Sequence, residues 1–459
     1  MQLSPIHQLI YLLGNSLAQL NCAITPAETE KIGIFIFLAM EGSQRKFHNS
    51  NHVLDICKDM TPLQTLSGLF HDVVYYQIDG SFPPNSEILL LPFVEVKSEG
   101  IFIRKDIAKH QIFDSCLTIF GFQQGQKLEN FGGQNEFLSA LLGALLLDSH
   151  VNNHVNIKLL AAFFVCIEAT IPFRKPNSQN QTSHQSSYQK AEKNLQILAQ
   201  EYDFELTETE IDEIIKQAVG LANRDVANFA AADVGKFLDG TWTLLPESHA
   251  QLWYGGVYSV QSYRTALSKM EYFLNILQPE VIFEQYKGFP DDITFKKLVA
   301  QATKNIAISR QYIGVKLLPI AIIEAAALLT GGDVPLSFFM GDVRMHEQDI
   351  KRAEDFLPQL LDIHKDIDYD VYRLLEFGRT TATSFDLQNS PLASFIYKKV
   401  GKNACTEMLE IAKSFFAQQI SPQQFLQKIS NYEVSNDIIM ACAKIAETRT
   451  EKLFGLIIY

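Results

Sequence analysis

Apolar residues recur mostly three and four positions apart along most of the chain, which is the spacing of amphipathic helices. Four predicted helix starts also carry matching cap chemistry, with a hydroxyl at the N-cap and a carboxylate or amide three residues later. These starts are Thr25 with Glu28, Thr61 with Gln64, Thr207 with Glu210, and Ser421 with Gln424. The pattern predicts an all-α fold with one short β insertion.

The insertion, at about residues 77–133, departs from helical spacing. Ile88 to Val96 is rich in β-forming residues, and Ile101-Phe102-Ile103 can pair back against that run. We therefore expect a β-hairpin. A helix should follow from Asp106 to about Phe120, because a glycine comes next and can close it.

The length of 459 residues is enough for two or three domains. We expect a first domain at 1–240 and a helical C-terminal domain at 241–459, which carries no catalytic signature in its sequence. Residues 174–189 are polar and poor in apolar side chains, and this composition predicts a mobile loop.

The charge balance, 39 basic against 52 acidic residues, gives a net charge of −13. An extended nucleic-acid groove is therefore excluded, whereas a small phosphorylated substrate is compatible if a metal ion reverses the local field. The six cysteines are scattered, which fits a reducing compartment. No signal-peptide pattern and no uninterrupted apolar run of roughly 18 residues is present. These features predict a cytoplasmic protein without membrane contact.

Two histidine-bearing segments are the main candidates for chemistry. His48 and His52 are four positions apart and would share one face if that segment were helical. The doublet His71-Asp72 begins nineteen residues after His52, among apolar residues. Imidazole and carboxylate together suit a divalent transition metal, and a metal is one way to satisfy a buried aspartate.

These segments resemble the HD-domain metal-dependent phosphohydrolases, whose metal lies on a helical bundle. The branch with RxYHNxxH, WFHDxVYD and DNExxSA motifs is the most similar, and its counterparts here are residues 45–52, 69–75 and 134–140. The first segment also resembles the YHNxxHAxDV signature of cyclic-nucleotide phosphodiesterases. The resemblance spans about residues 40–240, but about sixty residues separate the second and third segments, which are close together in the family.

The resemblance implies one divalent metal ion, or two, drawn from Mn, Fe, Co, Zn, Ni or Mg. His52, His71 and Asp72 would be metal ligands. The last ligand would be a downstream aspartate, for which Asp225 is the first choice and Asp148 the alternative.

Three further residues are candidates for catalytic roles, and for the first the role is implied by the resemblance to the phosphodiesterase signature. His48 would be the general acid. Glu136 would orient the attacking water or hold a second metal through water, unless it is simply a solvated helix residue. Arg45 is a candidate phosphate clamp because of its donor fork, although an arginine before a helix is often only exposed.

Two classes of function remain open from the sequence. The first is metal-dependent hydrolysis of a phosphate ester, by a monoesterase or a phosphodiesterase, in a small phosphorylated molecule such as a nucleotide. The second is a regulatory or scaffold protein whose HD site binds metal or nucleotide with little turnover. The C-terminal half keeps the second class open, because it could bind a partner or form a homo-oligomer.

Overall fold

The computed structural model describes residues 3–152, 154–174, 183–253, 255–342 and 351–457. Within these ranges the chain is helical apart from connections and one two-stranded hairpin, so the predicted all-α class with a small β-hairpin insertion is confirmed. The chain divides into two compact units. The first is Met1–Ala227 with Gln278–Ala300, and the second is Asn228–Leu277 with Gln301–Tyr459.

The elements up to residue 227 are eleven α-helices and two β-strands within the described residues. They are α1 Pro5–Gln19, α2 Pro26–Met40, α3 Ser50–Ile56, α4 Pro62–Phe70, α5 Tyr76–Asp79, α6 Glu87–Leu90, β1 Val94–Lys97, β2 Gly100–Ile103, α7 Gln111–Phe120, α8 Gln134–His150, α9 Ile157–Ala169, α10 Ser183–Glu201 and α11 Glu208–Asp225.

The later helices belong to the second unit, except that the first turns of α14 fall in the first. They are α12 Val234–Ser248, α13 Val260–Ile276, α14 Asp292–Thr330, α15 Ser337–Met340, α16 Tyr369–Phe377, α17 Pro391–Phe416, α18 Pro422–Lys428, α19 Val434–Ala443 and α20 Thr450–Phe454.

Helix α4 lies at the centre of the first unit and leads into the candidate site. Thr61 caps it with a complete capping box, in which Gln64 N donates to Thr61 Oγ1 and Thr61 N donates to Gln64 Oε1. Every residue from Leu63 to Phe70 is buried. The helix contacts α1, α8, α9 and α11, so its C-terminal end is held by packing on several sides.

The hairpin forms as predicted, but its surroundings differ. Strand β1 pairs antiparallel with β2, and Val94 lies opposite Ile103. Residues 87–90 form a helical turn, so the prediction of a strand from Ile88 was wrong at its start. Helix α7 begins at Gln111 and not at Asp106, because Asp106 has left-handed backbone (φ 59°) that an α-helix cannot contain.

The predicted mobile loop at 174–189 is wrong for its last seven residues. Residues 183–189 belong to α10, whose buried stripe includes Tyr188, Ala191, Leu195 and Leu198. The stripe was missed because apolar residues are few on this mostly polar helix, although they are spaced as in an amphipathic helix. The part of the predicted loop at 175–182 lies outside the described residues.

The division between the units differs from a single cut at residue 240. Segment 278–300 returns to the first unit, where Asn223 holds the backbone of Glu284 with two hydrogen bonds. Asn223 Nδ2 donates to Glu284 O (2.8 Å), and Glu284 N donates to Asn223 Oδ1 (2.7 Å). Tyr286 Oη also donates to Asp212 Oδ1 (2.7 Å). Contacts made by single side chains leave no pattern in the sequence.

Helix α14 is long and apolar enough, by length and composition, to cross a membrane. However, 89% of its most apolar 18-residue window is buried inside the protein. Core helices of soluble proteins pass the same test, so α14 is weak evidence for a membrane span. The expectation that the chain does not contact a membrane stays a prediction.

Replacing Asn223 tests whether segment 278–300 is part of the first unit. Asn223→Ala removes the amide that pairs with the backbone N–H and carbonyl of Glu284. We therefore expect a loss of about 1–3 kcal/mol in the free energy of unfolding. Limited proteolysis should then cut within 278–300 faster than in the wild type. The control is Asn403→Ala, at an exposed helical position, and equal cleavage in both variants would contradict the assignment.

Candidate metal centre

His52 lies in the first turn of the short helix α3. Asn49 is the N-cap, and its Oδ1 accepts from the backbone N–H groups of Asn51 (3.0 Å) and His52 (3.3 Å). Because the helix begins at Ser50, His48 precedes it. The expectation that both histidines share one helical face was therefore wrong, although their ring centroids are 5.7 Å apart.

The His71-Asp72 doublet follows α4 directly. His71 is buried, and its Nδ1 lies 2.8 Å from the carbonyl oxygen of Gly68. A carbonyl only accepts, so Nδ1 carries the proton and donates it there. The neighbouring carboxylates favour a second proton on Nε2, and a metal that displaces this proton would meet the Nε2 lone pair of the neutral ring. This is the arrangement by which proteins orient a metal-binding histidine.

Four side chains converge at the end of α4. His71 Nε2 is 3.1 Å from Asp72 Oδ2, and His52 Nε2 is 3.2 Å from Asp225 Oδ1. The crossed distances are 3.6 Å from His71 Nε2 to Asp225 Oδ1 and 3.9 Å from His52 Nε2 to Asp72 Oδ2. One ligand atom from each of His52, His71 and Asp72 fits within 4.8 Å of the others. The structure therefore brings together the four residues predicted as metal ligands.

The two Nε2 atoms point to a ligand that all four residues share. Both are buried, and neither has a hydrogen-bond partner of acceptable geometry among the described residues. Buried polar atoms are rarely left in this state. A divalent cation would accept the two imidazole lone pairs and neutralise the two carboxylates, so the residues present fit a metal.

The electrostatics of the cluster also favour a cation. Burial alone would raise the pKa of Asp72 and Asp225, but the facing histidines outweigh it and hold both carboxyls well below their usual pKa range. Burial likewise opposes charge on His71, yet the two carboxylates raise its pKa well above the ordinary value. Both aspartates are therefore ionised at neutral pH, and the centre attracts positive charge.

Asp148, the alternative fourth ligand, lies elsewhere and is already occupied. Its carboxylate accepts from Val155 N (3.1 Å), and each of its oxygens is 3.2 Å from His154 Nδ1. Of the two aspartates considered from the sequence, Asp225, the last residue of α11, is the one that joins the cluster.

Arg45 is buried, and protein acceptors occupy its guanidinium. Nη1 donates to the carbonyl of Asp72 (2.6 Å) and Nη2 to the carbonyl of Val73 (3.1 Å). Nε and Nη2 also bind the carboxylate of Asp79 at 3.1 and 2.6 Å. This placement disagrees with both expectations for Arg45, a phosphate clamp and an exposed residue. Arg45 instead holds the backbone of the His-Asp doublet in place.

The segment around Glu136 is attached to the doublet despite the long insertion. Ser139 Oγ accepts from Val74 N (2.9 Å), and Asn135 Oδ1 accepts from Tyr76 N (3.3 Å). Glu136 is half-buried next to Asn135, and burial together with the charge of Asp72 raises its pKa to about 7. The motif at 134–140 contains Asn135 and Ser139 but does not indicate their roles, since each acts on a backbone group far along the chain.

Aromatic rings lie next to His48 at the edge of the cluster. The ring of Tyr75 packs edge-on against His48 with centroids 4.6 Å apart, and Phe47 lies on another side at 4.9 Å. Phe47 also contacts His52 at 4.8 Å. His48 is half-buried, so its ring is oriented by neighbours yet reachable from solvent.

No family model, curated protein or solved structure matches this chain. The resemblance to HD-domain phosphohydrolases therefore stays a prediction, which rests on the three motifs and on the geometry of the residues they contain.

Replacing each of the two candidate aspartates with alanine tests which of them is the fourth ligand. Asp225→Ala should weaken Mn²⁺ binding by more than the ~10–100-fold loss typical of an outer-shell partner, because it removes a donor that faces both imidazoles. Asp148→Ala is the matched control and should bind Mn²⁺ as the wild type does. Isothermal titration of both variants measures this, and equal affinity in the two would eliminate Asp225 as a ligand.

Arg45→Lys separates a positioning role from a phosphate clamp. Lysine keeps the charge but cannot bind two carbonyls and Asp79 together, so we expect roughly 10–100-fold weaker Mn²⁺ binding. A phosphate clamp predicts a different result, unchanged metal affinity with a higher KM for substrate. Asp79→Asn should show a smaller loss of Mn²⁺ affinity in the same titration, since Arg45 still donates to the carbonyls of Asp72 and Val73.

Proposed function

We propose that this chain is a metal-dependent phosphohydrolase acting on a small phosphorylated molecule, with nucleotides as the first class to test. The observation that supports it most is the convergence of His52, His71, Asp72 and Asp225, in which two buried ring nitrogens face carboxylates without a hydrogen bond of acceptable geometry to any described residue. This donor set is suited to a divalent transition metal bound for catalysis, because four protein donors would not fill the coordination sphere of a six-coordinate ion and would leave positions for water and substrate.

A divalent ion bound there supplies Lewis acidity, since it lowers the pKa of bound water from 15.7 toward neutrality and offsets negative charge on a phosphoryl group. The chain itself supplies the proton chemistry. His48 lies beside His52 and is reachable from solvent. An imidazole there can hold a proton near neutral pH and donate it to a departing oxygen.

Glu136 is suited to handling a water proton beside the centre. Burial raises its pKa, so a carboxyl here takes up a proton at a higher pH than an ordinary glutamate does. Its neighbour Asn135 is hydrogen-bonded to the chain that follows the doublet, so the position of Glu136 is tied to that of Asp72. These properties favour the role of orienting water over that of an ordinary solvated glutamate.

The rings beside His48 support a nucleotide as substrate. Phe47 and Tyr75 are both half-buried and lie within 5 Å of the His48 ring, centroid to centroid. Aromatic faces at the edge of a metal centre can stack on a nucleobase while the phosphate lies at the metal.

A regulatory role with little turnover is the alternative, and activity measurements separate the two.

The proposal is tested by phosphate or nucleoside release from nucleotides and cyclic nucleotides with Mn²⁺. Wild-type protein should hydrolyse at least one class, and Asp72→Ala should release the metal and lose turnover. His48→Ala should keep the metal but lower kcat by roughly 10²–10⁴-fold, the usual contribution of a general acid.

Asp148→Ala is the control for this assay and should retain wild-type rates. Turnover that persists in Asp72→Ala would identify a contaminating hydrolase. If the wild type binds metal but hydrolyses none of the nucleotides tested, the hydrolase proposal is contradicted and the regulatory role is favoured. Loss of metal in His48→Ala would make His48 a ligand and not the acid.

A further inference from the structure

Two of the helices that carry the candidate metal ligands lie against each other in the first unit. Helix α4 leads into His71-Asp72, and α11 ends at Asp225. The helices contact each other through Gln64 and Gln217. They meet again at their C-terminal ends, where His71 Nε2 is 3.6 Å from Asp225 Oδ1. They therefore run in the same direction, and a shift of one along the other would change the distance between the ligands.

The side chain of Gln64 joins the two helices. It is 7% exposed, and its Nε2 donates to the backbone carbonyl of Gln217 (2.8 Å). Its Oε1 accepts from Thr61 N (3.1 Å) in the capping box of α4. Thr61 Oγ1 adds a second link, since it donates to Gln217 Oε1 (2.6 Å). One amide group thus serves α4 with its oxygen and α11 with its nitrogen.

The lack of a side chain at Gly220 makes room for that amide. A Cβ at this position of α11 would lie 2.4 Å from Gln64 Nε2, which is closer than two such unbonded atoms can approach. Glycine is disfavoured inside a helix relative to alanine, because it gains no side-chain contacts and loses more backbone freedom. The close approach of the Gln64 amide gives a physical reason for glycine in the last turns of α11.

A hydrogen bond to one carbonyl fixes the register of two helices in a way that apolar packing does not. Apolar contacts are non-directional, whereas a hydrogen bond weakens steeply when its distance or angle changes. His71 lies seven residues after Gln64, and Asp225 lies eight after Gln217, which correspond to roughly 10 and 12 Å of helix. The backbone of His71 is still helical. The register set at Gln64 is therefore carried along continuous helix to the ligands.

We infer that Gln64 and Gly220 are positioning residues of the metal centre. The amide of one and the missing side chain of the other fix the register of α11 on α4, and with it the spacing between Asp225 and the His71-Asp72 doublet. This inference rests on the metal centre of the proposed function. Gln64 and Gly220 act on it through the helices and would touch neither the metal nor a substrate.

Gln64→Glu separates the link between the helices from the cap of α4. A glutamate keeps the oxygen that accepts from Thr61 N and is a favoured third residue of a capping box. It loses the amide donor and places an acceptor against the Gln217 carbonyl. We expect Mn²⁺ binding to weaken by roughly 10-fold or more, as for partners that orient metal ligands. Isothermal titration measures this.

Gln424→Glu is the matched control for that substitution. Gln424 occupies the same position of the capping box of α18, where Ser421 is the N-cap, and it is exposed in the second unit. The variant carries the same change of amide to carboxylate and the same change of net charge. It should bind Mn²⁺ as the wild type does.

Gly220→Ala tests the same link from the other helix. Alanine favours the helical conformation of α11, but its methyl group takes the place of the Gln64 amide. Metal affinity should therefore fall by a similar factor although helix propensity rises. In the double variant Gln64→Ala/Gly220→Ala the methyl group meets no amide. Its loss of affinity should be smaller than the product of the two separate fold-changes, because the two residues act through one contact.

Co²⁺ absorption separates positioning from a general loss of stability. The visible bands of Co²⁺ bound at the centre report its coordination number and geometry. Gln64→Glu and Gly220→Ala should both change this spectrum at a temperature at which they remain folded. Asn194→Ala removes a buried donor to Thr118 O (2.6 Å) between α10 and α7, so it should lower stability. Its Co²⁺ spectrum should match that of the wild type.

Three results would contradict the inference. Wild-type Mn²⁺ affinity and an unchanged Co²⁺ spectrum in both Gln64→Glu and Gly220→Ala would overturn it while leaving the metal centre in place. An equal loss of affinity in Asn194→Ala would also overturn it, since metal binding would then follow stability and not register. A wild type that binds no Mn²⁺ would contradict the metal centre and this inference together. Gly220→Ala keeps the test decisive if Gln64→Glu fails to fold, and none of the readouts depends on hydrolysis.

Discussion

Two half-buried carboxylates held against the buried imidazole of His71 and the half-buried imidazole of His52 are the constraint on which the first unit depends. Asp72 and Asp225 are ionised at neutral pH, and His52 and His71 turn their Nε2 atoms toward them without forming satisfactory hydrogen bonds. Such an arrangement is costly unless another group satisfies all four side chains at once. The surrounding helices hold the residues in this energetically unfavourable arrangement. That free-energy cost is the strongest physical argument for a bound cation.

The supporting contacts act mostly on the backbone. Arg45 binds the carbonyls of Asp72 and Val73, and Ser139 accepts from the N–H that follows them. The Gly68 carbonyl fixes the His71 ring from the other side. Each contact removes one way in which the doublet could rotate, and a centre whose ligands cannot rotate binds metal more tightly. The precision of the site therefore comes from residues that would not touch the metal.

Local chemistry was predictable from the sequence, whereas long-range attachment was not. Cap residues and apolar spacing predicted the starts of four helices correctly. Two short motifs, one around His52 and one around His71-Asp72, predicted three of the residues that the fold brings together. Asp225 was ranked above Asp148 only through resemblance to a family, since nothing local distinguishes them. Arg45 was misjudged because burial depends on the tertiary fold. The boundary at 240 missed segment 278–300 because a few individual side-chain contacts, such as those of Asn223 and Tyr286, attach it to the first unit.

The hydrogen bond between Asn135 and the N–H of Tyr76 closes the base of the 58-residue stretch between them. Once the two ends of a loop are tied, added length costs only about 0.6 kcal/mol of closure entropy per doubling. The exposed turn of the hairpin, residues 97–99, can therefore lengthen or change sequence over evolution while His71, Asp72 and the packed helix α7 stay where they are. It is a suitable place in this chain for a reporter domain to be grafted in the laboratory.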